Sequence, residues 1–343
     1  MKRVYAKVLP DVPHIPLLNP NLGFKERETI LFLNNAFKDL RDPLVELVDS
    51  PEEAECILLA HNYSSLKHHT PLIAEQAELA KRLGKKFVVF WHGDGDAAVP
   101  YDNVLVFRTS QYRPHLRRHE VMMPAYAEDL LQGELTIRAK HGGKPVVGFC
   151  GWADYKNMKN RIATLLKNRL VTVGTFLGNR NLGARIKGIT LRMRAIRRLQ
   201  TSDLVATNFI VRGSYSGHSS TIGADAATLR KEYVENLLQS DYALVIKGDG
   251  NYSYRFYEAL SLGRIPVLLD TDCVLPLEDV IDYDSFIVRV PYGKLPEIDR
   301  IIADHYAKTS DQDFAAMQRR AREAFEKYLR VDRFLKYATD HCF

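Results

Sequence analysis

Short apolar, β-branched runs alternate along the chain with longer stretches in which apolar positions recur every three or four residues. RVYAKVL, AECILLA, KKFVVFW and NVLVFRT are of strand length, and helical patterns near residues 25–39 and 72–83 separate them. Runs that are apolar throughout fit strands covered on both faces, and their alternation with helices predicts βαβ units and a parallel sheet. The pattern then restarts at KPVVGFCG. It continues through LVTVGTF, a basic helical stretch, LVATNFIVRG, a helix over 226–239, DYALVIKG, a short helix and RIPVLLD. Two series predict an α/β chain of two Rossmann-like domains. The expected units are residues 1–138 and 139–325, joined within EDLLQGELTIRAKHGGKP, where Gly142 and Gly143 suit a linker. The tail from residue 295 reads as helices with a break near Ser310, and a last helix over 326–343 is expected to pack back on the first domain.

Composition adds few constraints. With 343 residues, 46% hydrophobic and 26% charged, the chain can fill two cores. The basic N-terminus is broken by Pro10, Pro13 and Pro16 before any apolar segment, so no secretion signal is expected. FVVFW and IPVLL fall far short of the roughly 20 residues that cross a bilayer. Cys56, Cys150, Cys273 and Cys342 are scattered singly, and His68 and His69 lack an HExxH context. Reduced thiols, a cytoplasmic location and no structural metal are the expectations.

Charge is uneven. Residues 155–202 hold twelve Lys or Arg and no Asp or Glu, although the whole chain carries only +6. Within them RNLGARIKGITLRMRAIRRL interleaves cations, from Arg180 to Arg198, with apolar residues. This is either a solvated amphipathic helix or a surface for an anionic partner. If the segment meets an anionic membrane, its binding to anionic vesicles should weaken as salt is added.

In parallel sheets, ligands collect at the carboxyl ends of strands. The informative loops are therefore HNYSS (61–65), HGDGD (92–96), GWADYKN (151–157), KGDGNYS (247–253) and DTDC (270–273). In KGDGNYSYRFYE, Gly248 and Gly250 allow a tight strand-to-helix turn, and Asp249, Asn251 or Ser253 can cap the helix. A phosphate fits such a helix start, with Arg255 in its first turn as a bidentate partner. Glu258, one turn deeper, could accept from two vicinal ribose hydroxyls. The bland alternative is an i,i+3 ion pair between the two on an exposed helix. Neither GxxxxGK[ST] nor GxGxxG is present.

Residues 230–292 resemble the donor-binding half of the exostosin family of glycosyltransferases. The likeness rests on a Tyr before the helix, Ser-Asp-Tyr-Ala-Leu, the Gly-rich turn, Ser-x-Arg-x-x-Glu-Ala, Gly-x-Ile-Pro-Val and a later Leu-Pro. KPVVGFCGW, NVLVFRTS and VMMPAYAEDL add weaker similarity. The resemblance implies a GT-B-like architecture of two domains facing a cleft. It also implies inverting transfer from a nucleotide-diphosphate sugar, UDP by family analogy, to a glycan or lipid-linked acceptor. Arg255 would carry the diphosphate and Glu258 the ribose. Lys247, Gly248, Gly250, Asn251, Ser253, Tyr254, Gly151, Trp152 and Arg212 are further donor-side candidates, with Lys156 another cation. Tyr215, Ser214, Ser216, His218 and Ser219 offer hydrogen bonds to a sugar or base. Animal members are membrane-anchored, whereas this chain looks like a bacterial cytoplasmic relative in polysaccharide synthesis, peripheral on the inner membrane face at most.

Inversion needs a general base beside the acceptor, expected from the first domain. Asp94 ranks first, then His92 and Asp96, with His61 as a further candidate. Asp94-Gly-Asp96 and Asp270-Thr-Asp272 could each hold Mn or Mg, as in the GT-A architecture, but so short a motif arises readily by chance. No cofactor is expected to be required, and a divalent metal stays open. The competing readings are a metal-dependent GT-A-type or other nucleotide-sugar enzyme, and a nucleic-acid-binding protein using the Arg-rich helix. No RNA-binding or helix-turn-helix pattern supports the last, so no nucleic-acid partner is expected.

Overall fold

The computed structural model describes residues 1–24, 32–154, 185–214 and 225–343. Its strands form two all-parallel sheets. The first has the order β2-β1-β3-β4-β5-β6, from β1 (Lys2–Tyr5), β2 (Val45–Leu47), β3 (Cys56–Leu58), β4 (Lys86–Trp91), β5 (Val104–Arg108) and β6 (Glu120–Met122). The second has the order β11-β10-β9-β7-β8, from β7 (Val146–Trp152), β8 (Ala206–Arg212), β9 (Tyr242–Val245), β10 (Ile265–Asp270) and β11 (Val288–Pro291).

The apolar runs follow from two-sided burial. Phe87 and Val89 pack with Ile57 and the helix α1 (Thr70–Arg82), while Val88 and Phe90 on the opposite face pack with Val4 and Leu58. That second face is covered by the last helix. In the helix Val331–His341, Val331, Phe334, Leu335 and Ala338 recur at helical spacing and enter the first domain's core, as expected of the last helix. The break near Ser310 is a cap: its side chain accepts from the Asp313 N–H at the start of the helix Asp311–Ala324.

One element departs from expectation. The region expected as a helix over 25–39 is, where described, a 3-10 turn over Leu33–Phe37 entered through Phe32 in the left-handed region (φ 65°). Asn34 and Asn35 are poor helix formers, and Leu33, Ala36 and Phe37 reach the core from the turn instead. The predicted strand LVTVGTF lies outside the described residues.

A buried ion pair sets the carboxyl end of the first sheet. Arg108 and Glu120 are both inaccessible and meet at 2.5 Å, and Arg108 also donates to the carbonyls of Gly95, Ala97 and Ser110. It thereby pins the loop after β4. Burial alone would raise the Glu120 carboxyl, but Arg108, Gln111 and Arg117 outweigh it and hold the pKa below the usual value. Removing one partner of such a pair strands the other charge. Arg108→Met is therefore expected to cost about 3–5 kcal/mol of unfolding free energy. Denaturant unfolding followed by Trp91, which lies 4.7 Å beneath the guanidinium, reads this. A loss below about 1 kcal/mol would contradict it.

Candidate functional site

The second sheet reverses strand order between β7 and β9, which places a crevice at their carboxyl ends. Their pairing ends at Gly148–Ala243, and beyond it the strands part. Arg255, in the first turn of the helix Tyr254–Ser261, fills this gap. Its Nη2 donates to the Cys150 carbonyl at 2.5 Å, and its guanidinium lies 4.2 Å from the centre of the Phe149 ring. The side chain is 9% exposed, its Nε has no hydrogen bond, and among the described residues no carboxylate forms an ion pair with it. Gly151 is required here, because a Cβ would stand 2.7 Å from Nη2. Arg192 reaches the same gap from the helix Gly188–Gln200, donating to the Trp152 and Ile246 carbonyls.

Glu258 does not pair with Arg255, so the bland i,i+3 ion pair is not formed. Its Oε1 accepts from Arg230 (2.7 Å) and its Oε2 from the Tyr233 hydroxyl (2.6 Å), both on the helix Ala226–Leu238. Ser253 occupies the N-cap position but makes no side-chain cap bond.

The loops after β4 and β5 meet those after β9 and β10. The Gly250 N–H donates to Asp94 Oδ1 (3.0 Å), and the Asn251 N–H donates to Ser110 Oγ (2.9 Å). Asn251 is also bound to the Gln111 carbonyl and to Thr271, which commits it to joining the domains. Gly250 could carry no side chain, since a Cβ would lie 2.6 Å from Asp94 Oδ1. Gly188 likewise lets its helix start against the carbonyls of Lys247 and Gly248. A cavity of about 20 Å³, room for one water, remains beside Lys247, Asn251 and Ser253. A larger open groove of about 690 Å³ lies at the amino ends of the strands, lined by residues 140–145, Leu204 and Tyr306, away from these groups.

The first-domain candidates separate by environment. Asp94 stays partly exposed, yet desolvation, aided by the Asp249 charge, raises its carboxyl pKa against the Gly250 and Tyr252 bonds. His92 is held: its ring stacks on Tyr126 at 4.2 Å, and Nε2 accepts from the Tyr126 N–H and faces the Tyr254 hydroxyl. Asp96 pairs with Arg185 of the second domain at 2.9 Å. His61 is buried, binding the Leu9 N–H and the Pro13 carbonyl. Trp152 gives its indole N–H to the Asp154 carbonyl, and Arg212 pairs with Glu232. Asp270 pairs with Arg289. Among the described residues no three His, Cys, Asp or Glu converge as a metal site, and no helix is long and apolar enough to cross a membrane. Arg194 and Arg197 are exposed, while Arg198 pairs with Asp299. Lys156, Arg180, Tyr215, Ser216, His218 and Ser219 lie outside the described residues. Sequence reasoning passed over Arg230, Tyr233, Ser110 and Tyr112 as site residues, and only the i,i+3 spacing of the first two could have signalled a shared face.

Residues 167–304 match the Exostosin GT47 domain. Over 112 residues the chain is 31% identical to an "Exostosin-1 homolog" of Caenorhabditis elegans, covering 33% of this chain and 28% of that one. The chain is exostosin-like. A "Probable glycosyltransferase" of Arabidopsis thaliana is 34% identical over 73 residues, 21% of the exostosin-like chain and 16% of its own. The exostosin-like chain thus spans well under a third of the length of either relative. A solved structure titled "Crystal Structure of TarM" aligns with 74% of it and 49% of that chain, at 11% identity and a TM-score of 0.35.

Lys247 gives the site a pH signature. It is 4% exposed, donates to the Tyr112 hydroxyl at 2.8 Å, and is pushed down to about 8 by burial, with Arg185 adding to the shift. Between that value and the ordinary 10.5, the unfolded chain holds a proton that the folded one has released, so stability should rise with pH. The buried thiols of Cys56 and Cys273, pushed up by burial, pull the other way above about pH 9, so the Lys247 contribution should appear as a gain of wild type relative to Lys247→Met between about pH 8 and 10. Identical pH profiles for the two proteins would contradict this.

Proposed function

We propose that the protein is an inverting glycosyltransferase that binds a nucleotide-diphosphate sugar at the β7–β9 crevice and transfers the sugar to a glycan or lipid-linked acceptor. The observation that carries this reading is Arg255, a buried cation at the switch point with a backbone carbonyl and an aromatic face for company but, among the described residues, no anion. A charge so placed is costly unless it is paired, and a diphosphate supplies the pairing. The match to the Exostosin GT47 domain over this region supports the same assignment.

In this reading Arg255 stabilises the charge that develops on the departing nucleoside diphosphate, and Glu258 takes the ribose hydroxyls. Asp94 is the favoured base, because its raised carboxyl pKa brings it nearer to working pH, whereas His92 and Asp96 are committed to Tyr126 and Arg185. Asp94 accepts the acceptor's hydroxyl proton as that oxygen bonds to the anomeric carbon from the face opposite the leaving phosphate oxygen. The carbon–phosphate-oxygen bond breaks, and configuration inverts. A nucleotide needs a few hundred Å³, far more than the cavity beside Lys247 and Asn251, so in this reading the donor does not occupy that cavity as it stands. UDP is the first carrier to test, by family analogy.

Calorimetry with a panel of nucleoside diphosphates, in EDTA and in Mn²⁺, tests the grip. One nucleotide should bind without metal, and Arg255→Ala and Glu258→Ala should each weaken it at least about tenfold. Binding to none, or binding indifferent to both substitutions, would overturn the reading.

A further inference from the structure

Glu258 is reached by two donors that lie outside the Ser-x-Arg-x-x-Glu-Ala motif. Arg230 Nη1 meets one carboxylate oxygen at 2.7 Å, and the Tyr233 hydroxyl meets the other at 2.6 Å. A carboxylate offers about four lone-pair sites, so two remain, one on each oxygen. These match the two hydroxyls of a vicinal diol. The donors are themselves held. Arg230 Nη2 donates to Glu128 at 2.8 Å, and its guanidinium lies 4.8 Å over the Phe32 ring, so residues before the second sheet fix it from behind. The Tyr233 ring has the Arg230 guanidinium at 5.6 Å and that of Arg255 at 5.7 Å. One aromatic ring therefore touches both the proposed diphosphate residue and the donor that orients the proposed ribose residue. Burial, together with the Glu258 charge, pushes the Tyr233 phenol well above its ordinary pKa, so it remains a donor across physiological pH.

We propose that Arg230 and Tyr233 are positioning residues for nucleotide recognition: together they fix the Glu258 carboxylate so that its two remaining lone-pair sites face the vicinal hydroxyls of the ribose. The inference rests on the reading of Glu258 given above. It predicts an effect confined to the diol. Without the Tyr233 hydroxyl the carboxylate is free to rotate, and the discrimination for the diol falls, while the diphosphate grip of Arg255 is untouched.

The test is calorimetric titration of the full chain with UDP and with 2′,3′-dideoxy-UDP, using wild type, Tyr233→Phe, Arg230→Lys and Arg255→Ala. Wild type should prefer UDP by about tenfold or more, the worth of hydrogen bonds to a charged group. Tyr233→Phe and Arg230→Lys should remove most of that preference by weakening UDP alone. Arg255→Ala should weaken both ligands equally. A wild-type preference that survives in Tyr233→Phe and Arg230→Lys overturns the positioning role and leaves the Glu258 reading standing. Equal losses of both ligands in those variants also overturn it, because that is the mark of a general structural role. No preference in wild type removes the Glu258 reading itself, and the positioning role with it.

Discussion

The site depends on one electrostatic constraint, a guanidinium held inside the protein with, among the described residues, a carbonyl and aromatic rings as its partners. Where the β7–β9 pairing has ended, Arg255 donates to the Cys150 carbonyl. That bond settles one N–H of five and leaves the charge unmatched. An uncompensated buried cation lowers stability, and stability is given up in this way where a ligand repays the loss. The local rules support the placement: a Gly at 151 admits the guanidinium, and Phe149 offers its ring face.

A second constraint is how closely the two domains approach. Glycine at 250 brings its N–H onto Asp94, Asn251 spends its donors and acceptor on both domains, and Lys247 sits buried against Tyr112. Hydrogen bonds of this kind contribute about 0.5–1.5 kcal/mol each when neutral, so a few of them can close the cleft without making opening prohibitive. Asp94 is thus partnered by the loop after β9 of the other domain.

Much of this was legible in the sequence, for physical reasons. Two-sided burial writes continuous apolar runs, so the inner strands of both parallel sheets, their restart after KHGGKP and the returning last helix could be read from pattern, whereas the short edge strands β2, β6 and β11 could not. The start of the Arg255 helix stood out because glycines and a serine at the N-cap position precede it. Other features are tertiary. The partner of Glu258 stands 28 residues away on another helix, where the nearer Arg255 was the obvious candidate. His92 reads as a base until Tyr126, from a later segment, stacks on it and takes its nitrogen. Of the helix expected over residues 25–39, the described part is a tight turn instead, since two asparagines favour it and it still delivers Leu33 and Phe37 to the core.

The central claim concerns where an anion sits, and a crystal structure of the chain with bound UDP tests it most directly. The account predicts both phosphates in the β7–β9 crevice, with at least one phosphate oxygen within about 3 Å of the Arg255 guanidinium, and the ribose hydroxyls on Glu258. Phosphates bound instead in the groove at the amino ends of the strands, or along the exposed arginines of the helix Gly188–Gln200, with Arg255 unchanged, would contradict it.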